Sequence, residues 1–228
     1  MKRCALIFAL VLSGCAADKV PLSGDRVSVF SSPDAAAGSV EKIVLARPYV
    51  SESWDSPSGN PANNKGHMAG RKSFDEKFRR DVGVNYGTRP MLYPPVADGN
   101  AVFAIDGNLH ISAIDAATGV RLWHHTGLSN DDYLRFGALA LSDGSLFAIA
   151  NDSTLIRLDP KTGKETYRKN FGATLKSGLQ ACGGLLLFIG DEGELFAVDS
   201  ATGEKKFGHR TIEEPFGLIR GSTPACSD

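Results

Sequence analysis

The sequence predicts an all-β fold: a β-propeller of four-stranded antiparallel blades, incomplete, with about three to four blades and the start of another. One observation is a motif that occurs three times. It runs Ala113-Ile114-Asp115-Ala116-Ala117-Thr118-Gly119 with Trp123, Arg157-Leu158-Asp159-Pro160-Lys161-Thr162-Gly163 with Tyr167, and Ala197-Val198-Asp199-Ser200-Ala201-Thr202-Gly203 with Phe207. Its aspartates lie 44 and then 40 residues apart, within the range that a four-stranded blade occupies. The other observation is what lies between the copies: short alternating apolar runs separated by Asp-Gly, Asn-Asp, Gly-Gly and Glu-Gly pairs. Such pairs suit hairpin turns, because Gly takes positive φ without steric cost and Asp and Asn tolerate it.

The elements follow in chain order. Residues 1–14 read as a lipoprotein signal peptide: Lys2-Arg3, an apolar run from Cys4 to Val11, then Leu12-Ser13-Gly14 before Cys15. The run is shorter than the roughly 20 residues a bilayer span needs, and the small residues before Cys15 form a lipobox. Cys15 is the expected lipidation site, each acyl chain adding about 0.8 kcal/mol of membrane affinity per buried methylene. Residues 15–45, rich in Ala, Ser, Gly and Asp, read as a lipidated N-terminus and linker. Residues 46–90 read as a lead-in segment and degenerate first blade, with Trp54, Gly59-Asn60-Pro61 and the run from Phe74 to Val84.

Residues 91–228 hold the clear blades. In the first copy, strands are expected over Met91–Ala97, Ala101–Ile105, His110–Asp115 and Val120–Thr126, broken at Asp98-Gly99, Asp106-Gly107 and the Thr-Gly turn. The second copy breaks at Asp143-Gly144 and Asn151-Asp152, the third at Gly183-Gly184 and Glu192-Gly193. The aromatic four residues after each Thr-Gly recurs at one offset, as a ring that packs between neighbouring blades must. Ala225-Cys226-Ser227-Asp228 stops one residue before the next expected glycine, so the chain reads as cut off inside a blade. An open arc leaves blade faces uncovered. Expressed alone it is expected to aggregate or to be protease-sensitive, and a sharp cooperative melt of a monomer would contradict this.

The pattern Ala-x-Asp-x-x-Thr-Gly-x-x-x-aromatic resembles the pyrroloquinoline-quinone-like (PQQ-like) propeller repeat, which quinoprotein dehydrogenases share with non-catalytic scaffolds. Lipobox and propeller together resemble the BamB family, propeller lipoproteins of the outer-membrane β-barrel assembly machinery. Pro21 to Val29 resembles the opening of mature alphaproteobacterial members. The resemblance implies a non-catalytic protein on the periplasmic face of the outer membrane, held by its lipid anchor. It also implies a partner, the periplasmic domain of the barrel-forming subunit BamA, together with the rest of the complex. Leu218, Ile219 and Arg220 sit where the family has an inter-blade Leu-x-Leu-Arg-Gly loop that contacts BamA, with Gly217 at the motif's first leucine. Taken as residues alone, the same stretch reads rather as a strand edge feeding the next blade.

No cofactor or metal is expected. The alternative is a fragment of a periplasmic PQQ-dependent dehydrogenase or another PQQ-like binding protein. By resemblance, such enzymes carry adjacent cysteines beside the quinone and a calcium site of Glu, Asn and Asp. No Cys-Cys pair occurs in this sequence, and no phosphate-cradling loop, CxxC or HExxH motif. A net charge of −1 over 228 residues gives no reason for a nucleic-acid partner, and no small-molecule substrate is expected. His124-His125 lies on a strand, whose alternation sends the two rings to opposite faces, while His67, His110 and His209 share no ligand spacing. Asp115, Asp159 and Asp199 recur as equivalents, which marks them as turn formers rather than catalysts. Cys182 and Cys226 occupy nearly matching places on the inner strands of neighbouring blades. The periplasm permits a disulfide, while equivalent positions in adjacent blades can stand beyond the roughly 7 Å Cα limit, so the sequence weighs somewhat against a bridge and leaves the redox state of the pair open.

Overall fold

The repeat copies become three successive sheets in a computed structural model, which describes residues 44–70, 73, 75–83, 91–92, 94–128, 136–150, 152–210 and 222–226. All of these except Val44 belong to one unit, Leu45–Asp228. The first blade orders β2 (Val96–Ala97), β3 (Ala101–Ile105), β4 (Ile111–Asp115) and β5 (Arg121–His125) from one side to the other. The second orders β6 (Phe136–Ser142), β7 (Ser145–Ala150), β8 (Thr154–Leu158) and β9 (Glu165–Asn170). The third orders β10 (Gln180–Cys182), β11 (Leu185–Ile189), β12 (Glu194–Asp199) and β13 (Lys205–Arg210). Every neighbouring pair within these blades is antiparallel. No helix is present among the described residues, and the architecture is a partial β-propeller.

One expected strand is divided. Met91–Ala97 does not run continuously into the first blade: only Val96–Ala97 does, while β1 (Met91–Leu92) pairs in parallel with β6 of the second. Pro94-Pro95 explains the break, since two residues without N–H donors cannot continue a ladder. The turns carry a smaller difference. Asp143-Gly144 and Gly183-Gly184 take positive φ at both positions, as two-residue hairpins require. At the Asp106-Gly107 turn, however, the left-handed residue is Leu109 (φ 61°), and Ser153 (φ 56°) holds the corresponding place in the second blade.

Burial follows blade position. β3 and β11 alternate buried with partly buried residues, whereas all six residues of β7 are buried. A strand covered on one face alternates, and one covered on both does not. The middle blade therefore feeds two cores. Phe103, Ile111, Leu139, Leu146 and Ile156 fill the seam between the first and second blades. Phe147, Ile149, Leu155, Leu186 and Phe188 fill the seam between the second and third.

A register shift recurs between the third and fourth strands of every blade, at Ala113/Ile114, Arg157/Leu158 and Ala197/Val198. The residues paired at the shift are Ala113 with Trp123, Arg157 with Tyr167 and Ala197 with Phe207. A bulge bends the strand and re-aims a side chain, here the motif aromatic.

Candidate functional site

The motif turns are built by their aspartates. Asp115 Oδ1 accepts the N–H groups of Ala117 (3.1 Å) and Thr118 (2.7 Å) and the Thr118 hydroxyl (2.7 Å). Asp159 accepts from the N–H groups of Lys161 (2.8 Å) and Thr162 (3.0 Å), and Asp199 from those of Ala201 (3.0 Å) and Thr202 (2.9 Å). All three carboxyls are held below the ordinary aspartate value of 3.8: Asp115 foremost by the Thr118 hydroxyl, Asp159 and Asp199 foremost by the backbone N–H of Thr162 and of Thr202. They are turn formers, as their recurrence implied.

The second and third motif turns each receive an aromatic from the preceding blade. The Trp123 indole N–H donates to the Pro160 carbonyl at 2.8 Å, and the Tyr167 hydroxyl donates to the Ser200 carbonyl at 3.1 Å. A Cβ on Gly163 would lie 2.6 Å from the Trp123 ring, and one on Gly203 would lie 2.9 Å from the Tyr167 ring. Glycine is required at both for that approach as well as for its positive φ. Sequence reasoning missed one member of this set. Phe78, in the lead-in segment, packs on Gly119 (2.6 Å to a built Cβ), and Arg80 Nε–H donates to the Gly119 carbonyl at 2.7 Å. The signal was there in Phe78-x-Arg80, which matches Trp123-x-His125 and Tyr167-x-Lys169 in spacing and basic character.

On the side of the first-to-second strand turns lies a cavity of about 350 Å³, lined among others by Asp55, Pro61, Asp98, Asp143, Pro160 and Cys182. The lead-in segment reaches it. Trp54 bridges Ala97, the Leu141 N–H donates to the Asp55 carbonyl at 2.7 Å, and the Cys226 N–H donates to the Pro61 carbonyl at 2.9 Å. Here the structure decides the redox state that the sequence left open, against its lean: Cys182 and Cys226 form a disulfide, with Cα atoms 6.4 Å apart. Cys226 is not on an inner strand. Residues 222–226 carry no strand pairing and run beside Pro61 and Asn63, whose side-chain amide donates to the Thr223 carbonyl at 3.2 Å. The distance between equivalent blade positions therefore does not apply to Cys226.

The histidines are placed apart. His124 is exposed and meets His110 edge to face at 5.2 Å, while the His125 ring turns toward Glu165 of the second blade, 3.6 Å away. Burial holds the His125 imidazole below its ordinary value of 6.5, partly offset by Glu165. His67 meets the Ala46 carbonyl at 2.6 Å, and His209 lies on β13. The cavity cysteine is bonded to a partner 44 residues away, and among the described residues no three His, Cys, Asp or Glu are placed to hold a metal ion. No helix among the described residues is long and apolar enough to cross a membrane. Cys15, Leu218, Ile219 and Arg220, the expected lipidation and partner-binding residues, lie outside the described residues.

Comparison with known proteins places this architecture. A family model described as "Outer membrane protein assembly factor BamB", of the PQQ-repeat type, matches residues 110–228. The 1-butanol dehydrogenase (quinone) of Thauera butanivorans is 32% identical over 154 residues, covering 57% of this chain and 24% of that protein. The outer membrane protein assembly factor BamB of Burkholderia pseudomallei is 30% identical over 127 residues, covering 55% of this chain and 32% of that protein. The chain thus spans about a quarter to a third of the length of these relatives. A europium-containing methanol dehydrogenase shares the fold with a TM-score of 0.57 at 19% identity, over 70% of this chain and 32% of that one. The family match spans more than half of the chain and all three motif turns, and by it the chain belongs to the BamB-like family of PQQ-repeat β-propellers.

Proposed function

We propose that the chain acts as a non-catalytic scaffold lipoprotein of the outer-membrane β-barrel assembly machinery. It binds the periplasmic domain of BamA and aids folding and insertion of outer membrane proteins. The observation that carries this reading is the family match over residues 110–228, supported by the Burkholderia relative. In it, Cys15 carries the lipid that tethers the protein to the periplasmic face of the outer membrane, and Leu218, Ile219 and Arg220 contact BamA. An apolar pair beside an arginine suits that role, since Arg and buried apolar groups dominate interface hot spots. The experiment is co-purification of the full chain with the BamA periplasmic domain. Arg220→Glu is expected to weaken capture about tenfold or more, and equal capture by both proteins would overturn the assignment of the loop. Mass spectrometry of the mature N-terminus tests Cys15: an unmodified cysteine there would remove the anchor.

A second reading, part of a PQQ-dependent dehydrogenase, is favoured by one observation, the 32% identity to the Thauera enzyme. Titration of the chain with pyrroloquinoline quinone and calcium, followed by quinone absorbance, separates the two. Saturable binding would favour the enzyme.

A further inference from the structure

One pair of histidines is an exception to their separation. His110 and His124 lie 14 residues apart in the sequence, but the β4–β5 hairpin sets Ser112 directly opposite His124, and His110 stands two positions before Ser112. Ile111 and Ala113 belong to the core shared with the second blade, and Trp123 packs against it. Strand alternation therefore turns His110, Ser112 and His124 together onto the other face of the first blade. The two imidazole centres are 5.2 Å apart, edge to face. The His110 ring is held from behind. The side chain of Asp106 is 3% exposed and keeps Oδ2 3.5 Å from Nδ1 of His110, while its Oδ1 accepts the His110 backbone N–H at 2.9 Å. A carboxylate at one ring nitrogen favours the proton there and leaves Nε2 as the ligand atom. The ring is open to solvent on its free side: the His110 side chain is 32% exposed, and His124 is exposed.

We propose that His110 and His124 bind one divalent transition-metal ion of the class that prefers imidazole, Zn²⁺, Cu²⁺ or Ni²⁺, with Asp106 positioning the His110 ring. The spacing fits a shared ion. An imidazole nitrogen binds zinc at about 2.0–2.1 Å, which sets the ring centre about 3 Å from the metal, so two rings on a tetrahedral ion stand about 5 Å apart. Nitrogen ligands select this class over calcium and magnesium, which take oxygen. Two protein ligands leave the other coordination positions to water or to a donor from a bound molecule. The Ser112 hydroxyl, fully buried and without a hydrogen-bond partner among the described residues, is on the same face, an unpaired polar group that a hydrated ion there can satisfy. The sequence interval gave no sign of the pair, because the hairpin brings it together. The site is independent of whether the chain is a scaffold or part of a dehydrogenase.

Isothermal titration of the full chain with Zn²⁺ tests the site. One saturable equivalent is expected, weakened about tenfold or more in His110→Gln and in His124→Gln and kept in His67→Gln and His209→Gln. Asp106→Asn, which keeps both ligands, is expected to weaken the ion by about 10- to 100-fold, and equal affinity there would overturn its positioning role. A second measurement needs no variant to fold: electron paramagnetic resonance of the unaltered chain loaded with Cu²⁺ is expected to show two imidazole nitrogens on the copper. No saturable equivalent, binding indifferent to both histidine substitutions, or a copper signal without paired imidazoles overturns the proposal.

Discussion

Gly163 and Trp123 show how much one residue pair decides. The indole fills the space of the missing side chain and bonds to the Pro160 carbonyl. Trp123→Ala is expected to cost about 2–3 kcal/mol, somewhat less than a fully buried aromatic truncation, as read from chemical denaturation. Gly163→Ala is expected to destabilise too, because its Cβ meets the ring at 2.6 Å and its φ is +69°. A neutral result for both would remove the ring from the seam. The turn carboxylates set an acid limit. Their pKa values lie below 3.8 in the folded chain, so their stabilisation is fully present above the unfolded value and is lost as pH falls through the folded ones. Stability is expected to drop below about pH 4, and Asp199→Asn to flatten that drop. At the alkaline end burial pushes Tyr167 up to about 12. Its contribution is present below the ordinary value of 10.0 and lost as pH rises through the folded one, so absorbance titration should show one tyrosine ionising late. The turn aspartates were legible in the sequence because an Asx turn is local. Phe78 was missed because no Thr-Gly turn stands four residues before it to mark the offset that the other three aromatics share.

Among the elements, the strands and hairpins followed from alternation and turn chemistry, and the exceptions have physical causes. Alternation by itself assigned Met91–Ala97 to one strand, but two adjacent prolines divided it and sent its first half to another blade. β7 lost its alternation because both faces are covered. Phe147→Ala, in its middle, is expected to cost about 3–5 kcal/mol. The disulfide is the other element-scale finding. It closes a 44-residue span, and a loop of that size contributes about 2–4 kcal/mol by restricting the unfolded chain. Reduction, or Cys182→Ala with Cys226→Ala, is expected to lower stability by that amount and to expose residues 222–226 to protease. Non-reducing peptide mapping that finds two free thiols would contradict the link.

At the scale of the whole molecule, the middle blade lines both cores, and among the described residues the outer strand of the third blade is exposed throughout. Amide exchange should therefore be slowest in β7 and β8 and fastest in β13, following the gradient from buried to exposed backbone. Uniform protection across the blades would show that the outer face of β13 is covered. The reading as a barrel-assembly scaffold rests on repeat class and family. By itself the sequence determined the blade pattern, the carboxylate turns and the recurring aromatics, since each depends on residues a few positions apart whose backbone preferences and alternation act locally. Only the tertiary structure decided which turn Phe78 caps, where Met91–Leu92 pairs, that Cys226 reaches Cys182, and that Phe207 stays open. Those outcomes depend on how strands far apart in the chain stack, and short-range pattern carries no information about that distance.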